Sequence, residues 1–167
     1  MKMKKMLAAV LAAAMVIGTT TAAFADTTLT GNSGSTDVSY TAQETYTVTI
    51  PANITLSATK LSDTGDVKVT DALLEGGHIL TITVASANNY SLVKTFEEED
   101  ITSKIGYTLS GADNGKVLDV YYGEKSTKTY TQTLTFATTA ENVADATLAG
   151  EHKDTLTFTV AIETISE

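Results

Sequence analysis

Cysteine, tryptophan and arginine do not occur in the 167-residue chain, and proline occurs once, at Pro51. Without cysteine there is neither a disulfide nor a thiolate metal site, so core and sheet must hold the fold. Two histidines, His78 and His152, stand 74 positions apart and leave zinc without a ligand set. The lack of arginine denies the surface the basic patch that phosphate neutralisation requires, which excludes nucleic acid as a partner. Helical periodicity is scarce too. No window of about 11 to 18 residues carries it, and the best candidates, 71–75 and 140–148, amount to a turn or two.

What is there begins with a targeting pattern. Lys2, Lys4 and Lys5 precede an apolar run from Met6 to Ile17, and small residues close on Ala23-Phe24-Ala25. That order predicts a secretory signal peptide cut between Ala25 and Asp26, since the run is shorter than the roughly 20 residues that span a bilayer. The cut leaves 142 residues, with eight lysines against twenty acids and a formal charge of −12. Such a surface suits a soluble, self-repelling exported protein. Residues 26–37 read as a Thr/Ser/Gly-rich flexible leader, and 38–167 as one domain. With no L-P-x-T-G sorting signal and no hydrophobic tail, the expected location is secreted, or noncovalently associated with the cell surface.

The domain is written in a period of two. Tyr46, Val48 and Ile50 alternate with threonines, Pro51 interrupts, and Ile54 and Leu56 resume. Short runs follow at Val67/Val69, Leu80/Ile82/Val84 and Ile105/Tyr107/Leu109, punctuated by Gly65, Gly76-Gly77, Asn88-Asn89 and Gly111. Asp113-Asn114-Gly115 predicts a hairpin joining Tyr107–Leu109 to Val117–Tyr122. Thr131–Phe136 and Lys153–Phe158 look alike, each with Leu and Phe on one face and Thr on the other. About seven to nine short strands between turns predict an all-β antiparallel sandwich of the immunoglobulin-like kind.

Chemistry-bearing constellations are sparse. His78 and His152 fall at strand starts where solvent exposure is expected, and no nucleophile elbow accompanies them. Glu97-Glu98-Glu99-Asp100 reads as a solvated acidic loop, with calcium as its only metal alternative; no other cofactor is implied. Lys68 or Lys94 with Asn142 could supply an isopeptide cross-link only if strand phase allowed it. Seven tyrosines remain. Tyr46, Tyr107 and Tyr130 share the apolar phase, whereas Tyr90, Tyr121 and Tyr122 are candidates for stacking on a ligand such as cell-wall glycan, Tyr121 and its neighbour pointing to opposite faces.

The stretches "TYTVTIPANITL" and "AGEHKDTLTFTV", Thr45 to Leu56 and Ala149 to Val160, resemble the framing segments of small secreted β-sandwich surface proteins of Gram-positive bacteria, the WxL-domain-like proteins among them. Ala149-Gly150 and Phe158-Thr159-Val160 carry the likeness at the closing strand. The resemblance implies a β-sandwich at the cell wall. Together these features point to a non-enzymatic structural or adhesive protein acting through its folded β-surface. Its partners would be other surface proteins, like subunits in a fibre, or cell-wall polysaccharide. Leu156, Phe158, Val160 and Ile162 share one face of the last strand, each worth about 1.5 to 3 kcal/mol if fully buried. Truncation before Thr155 is therefore expected to give insoluble or protease-sensitive product, and a soluble truncation with a cooperative melt would refute the assignment.

Overall fold

The computed structural model describes residues 39–123 and 127–165; the signal peptide, the leader and Val38 lie outside them. Nine strands occur among the described residues: β1 (Thr45–Thr49), β2 (Ser62–Leu73), β3 (His78–Ser86), β4 (Ser91–Phe96), β5 (Ile101–Gly106), β6 (Thr108–Ser110), β7 (Lys116–Tyr121), β8 (Tyr130–Ala137) and β9 (Leu156–Thr164). One short helix, α1 (Ala140–Ala144), precedes β9. All pairings are antiparallel. One sheet has the order β1-β2-β8-β6, a second β7-β3-β9, and β4 and β5 form a separate ribbon. The architecture is thus the expected all-β antiparallel sandwich. Its two larger sheets hold four and three strands, with β3 central in the second and the last strand, β9, at an edge of it.

Alternation explains which residues face inward. Val67 and Val69 of β2, Leu80, Ile82 and Val84 of β3, Val117 and Val120 of β7, and Leu134 and Phe136 of β8 are buried together between the sheets. Threonines and charged residues fill most of the outer positions. In β2 the phase shifts by one residue: Val69 and Ala72 are both buried, three positions apart. The cause is a bulge against β1, where Asp71 takes a φ of 55° and its carbonyl accepts from the Thr45 hydroxyl at 3.2 Å. Such an extra residue moves every following side chain to the other face. The stretch 71–75 is therefore a bulged strand end and turn, while Ala140–Ala144 forms the expected short helix, its N-terminus capped by Thr139.

Several expectations are corrected. Asp113-Asn114-Gly115-Lys116 does make a tight turn, with reciprocal backbone bonds of 2.8 Å and positive φ at Asn114 and Gly115. Yet the flanking strands do not pair. β6 joins β8 in one sheet and β7 joins β3 in the other, so the turn carries the chain across the sandwich. Likewise, the run Ile105/Tyr107/Leu109 is cut at Tyr107, where the chain passes from β5 to β6. Residues 50–56 are not strand; Ile54 and Leu56 instead lie half-buried against the core.

Gly65, expected as a turn, is the middle of β2. A Cβ there would lie 2.6 Å from Pro51 Cγ, so the missing side chain lets the only proline pack on the sheet. Gly65→Ala is expected to cost about 1 to 3 kcal/mol through overpacking, read as a lower denaturant midpoint at unchanged m-value. In a Pro51→Gly background the same change should cost less, because both clashing atoms, Pro51 Cγ at 2.6 Å and Cβ at 2.7 Å, are then absent.

Candidate functional site

β9 lies along β3 for its whole length, from His78 opposite Thr164 to Ser86 opposite Leu156, without a bulge. Its other edge pairs with no strand among the described residues. The bonds Ala87 N–H to Thr155 O (2.9 Å) and Ile165 N–H to Gly77 O (2.7 Å) fix the phase of the ladder. Odd-numbered residues of β9 exchange bonds with β3, so the backbone groups of Leu156, Phe158, Val160 and Ile162 face outward. Their side chains meanwhile lie half-buried against the core. No lysine, proline or bulge guards this edge, the devices by which exposed strands usually avoid pairing.

Beside the start of β9 a cleft of about 490 Å³ opens between the sheets. Ile50 to Leu56 form one wall, Leu156 and Phe158 the other, and Tyr107 and Phe136 lie at its depth. Three polar side chains along it, those of Asp154, Tyr107 and His152, are engaged within the fold. The Asp154 carboxylate accepts from the hydroxyls of Ser86 and Tyr107, both at 2.6 Å, and from the backbone N–H groups of Asn88 (3.1 Å) and Thr155 (2.8 Å). Burial alone would raise its pKa, but these four donors outweigh burial and hold the carboxyl below its ordinary value. Burial and the adjoining Asp154 together push the Tyr107 phenol well above the usual tyrosine value, so it remains a donor. Tyr107 also meets Tyr90 edge to face, ring centroids 5.9 Å apart.

Both histidines are half-buried rather than exposed. His78 Nδ1 lies 2.8 Å from Glu44 Oε1, which also accepts the Glu75 N–H at 2.8 Å. Burial raises the Glu44 pKa, and the bonds to Glu75 and His78 bring it below the ordinary value. His152 is more unusual: Nε2 stands 2.7 Å from the Ser103 hydroxyl and Nδ1 stands 3.0 Å from the Gly150 carbonyl. A carbonyl only accepts, so Nδ1 carries a proton, and in the neutral ring Nε2 accepts from Ser103. This is the sense of the hydroxyl–imidazole pair in serine hydrolases. Here, however, Ser103 is 1% exposed and its oxygen already accepts the Thr147 N–H at 3.0 Å. The pair fastens the 147–152 segment to β5.

The sequence-predicted ligand residues do not converge. Tyr121 and Tyr122 are 55% and 43% exposed, near the beginning of β3, where Tyr121 faces Ile79. Tyr90 follows the far end of β3, about 20 Å away at the rise of a strand, and is half-buried against the core rather than free to stack. Glu97, Glu98, Glu99 and Asp100 form the exposed tip of the β4–β5 ribbon. Among the described residues no three carboxylate or imidazole groups gather as a metal site, so the calcium alternative has no cage at this tip. The isopeptide partners are apart as well: Lys94 bonds the Ala149 carbonyl and Asn142 the Gly106 carbonyl. No described helix is long and apolar enough to cross a membrane. Comparison with family models, curated proteins and solved structures finds no match for the chain.

The Asp154 cluster escaped sequence reasoning, although its signal was present: Asp154 is in phase with Leu156 and Phe158, an acid on the inward face. Because its carboxyl is depressed in the fold, its stabilisation is complete above the unfolded value of about 3.9 and is lost as pH falls through the lower folded value. Asp154→Asn is expected to cost about 2 to 4 kcal/mol near neutral pH by mispairing buried donors. Urea titrations should also show the unmodified chain losing stability more steeply than the variant as pH falls below about 4.

Proposed function

We propose that this chain is a non-enzymatic structural or adhesive protein of the cell exterior that works by association through its folded β-surface. The observation that carries the reading is the edge of β9: nine residues, no bulge, outward backbone groups, and one charged side chain, Glu163. Strand addition at such an edge supplies main-chain hydrogen bonds for affinity and alternate side chains for selectivity. The adjoining cleft favours a strand over a small polar ligand, because its carboxylate, phenol and imidazole already bond to the fold. The occupied and enclosed Ser103 hydroxyl supports the non-enzymatic part. The resemblance of the first and last strand segments to Gram-positive surface sandwiches agrees with the location.

Negative-stain microscopy and sedimentation of the purified chain are expected to show association. Val160→Pro should abolish it while lowering the melting temperature only modestly, since the proline removes an outward N–H and spares the bonds to β3. Saturable binding to peptidoglycan or another polysaccharide, lost in Tyr121→Ala or Tyr122→Ala and untouched by Val160→Pro, would overturn the reading in favour of a glycan-binding module.

A further inference from the structure

We propose that the partner strand at this edge is β9 of a second copy, paired antiparallel about a two-fold axis at Val160 to make one continuous six-stranded sheet. The inference rests on the association reading above and names its partner. Three observations select this register. Leu156–Thr164 has Val160 as its midpoint, so only a pairing with Val160 opposite itself overlaps the strand along its whole length. In that register every outward-facing backbone position meets another outward-facing one, Phe158 opposite Ile162 and Leu156 opposite Thr164, and the ladder closes without a bulge. Side chains agree. On the cleft side Val160 meets its own copy and Phe158 meets Ile162, with Leu156 against Thr164 at the two ends, and Glu163 falls opposite Thr157 rather than opposite its own copy, so like charges do not meet.

The identical edges make an isologous contact that closes at two copies along this sheet. The acid excess of the chain, twenty carboxylates against eleven lysines, repels a second copy at long range. Pairing by backbone and apolar groups therefore strengthens as salt screens that repulsion, with the screening length falling from about 30 Å at 0.01 M to about 3 Å at 1 M. An ion-paired contact would show the reverse.

The cysteine-free sequence makes a single introduced thiol diagnostic. Facing residues at the axis have Cα atoms about 5.5 Å apart, within disulfide reach, whereas the two copies of Thr157 would be about 20 Å apart. Mild oxidation of the folded chain should convert Val160→Cys to a covalent dimer and leave Thr157→Cys monomeric. Sedimentation of the unmodified chain should show an association constant about tenfold higher in 0.5 M than in 0.02 M sodium chloride. Hydrogen exchange on the unmodified chain gives an independent readout. Amides of Phe158, Val160 and Ile162 should be protected at high protein concentration and open on dilution, while those of Thr157, Thr159 and Ala161 stay protected by β3. Equal cross-linking at both cysteines overturns the register, and protection of the even-numbered amides at every dilution overturns the second copy as occupant. Amides that close only when another surface protein is added also overturn the second copy but keep the association reading. A monomer with those amides open under every condition removes both.

Discussion

The fold depends on one half-buried charge being fully bonded. Asp154 sits at the entrance to β9 and receives hydrogen bonds from the end of β3, from the turn after it, from the break between β5 and β6, and from its own successor Thr155. These segments are 47 to 68 positions from Asp154 in sequence, the Thr155 bond apart. A half-buried carboxylate without these donors would neutralise or expel itself. With them it fixes where β9 starts, and the start determines the register of all that follows along β3. Ser86 extends the cluster by accepting the Tyr90 N–H at 2.6 Å while donating to Asp154, which positions the chain as it enters β4.

Around that anchor the segment before β9 is fastened further. Val93 and Lys153 exchange backbone bonds of 2.8 and 2.9 Å, and His152 takes the Ser103 hydroxyl. Both contacts tie the approach to β9 onto the β4–β5 ribbon. The ribbon thus acts as a brace for the closing strand rather than as a third layer of core. This explains why a lone two-stranded ribbon, marginal by itself, persists here with an exposed acidic tip: its other end runs into Tyr90 and Tyr107, whose rings pack edge to face and against the core.

The strands were legible because burial on one face imposes a period of two, and Leu80/Ile82/Val84 or Leu134/Phe136 cannot satisfy a helix with the same spacing. The connections were less so. Asn114-Gly115 specifies a tight turn through two positive φ angles, but a turn does not determine whether its arms stay in one sheet; that choice is made by Tyr107 and the pairing of β6 with β8. Gly65 has a turn residue's identity and a packing residue's role, visible only once Pro51 is set against it. Polar clusters were the least legible, since Ser103 and His152 are 49 positions apart and nothing local joins them. Tyr90 was misread for a related reason: its ring is held by Tyr107, a partner that the fold and not the spacing supplies.

Placing the last strand at an edge has a further physical consequence. Outward hydrogen-bonding groups and inward apolar side chains belong to the same residues, Leu156, Phe158, Val160 and Ile162, because an antiparallel ladder alternates both properties with the same period. A strand that adds to this edge therefore extends the ladder and covers the apolar cleft wall in one step. The bulge in β2 lies in the other sheet and the bulge between β3 and β7 lies on the far side of β3, so neither disturbs this phase. Irregularities in the paired ladders lie away from the β3–β9 pairing, and β9 keeps the straight, continuous edge that association through the folded surface requires.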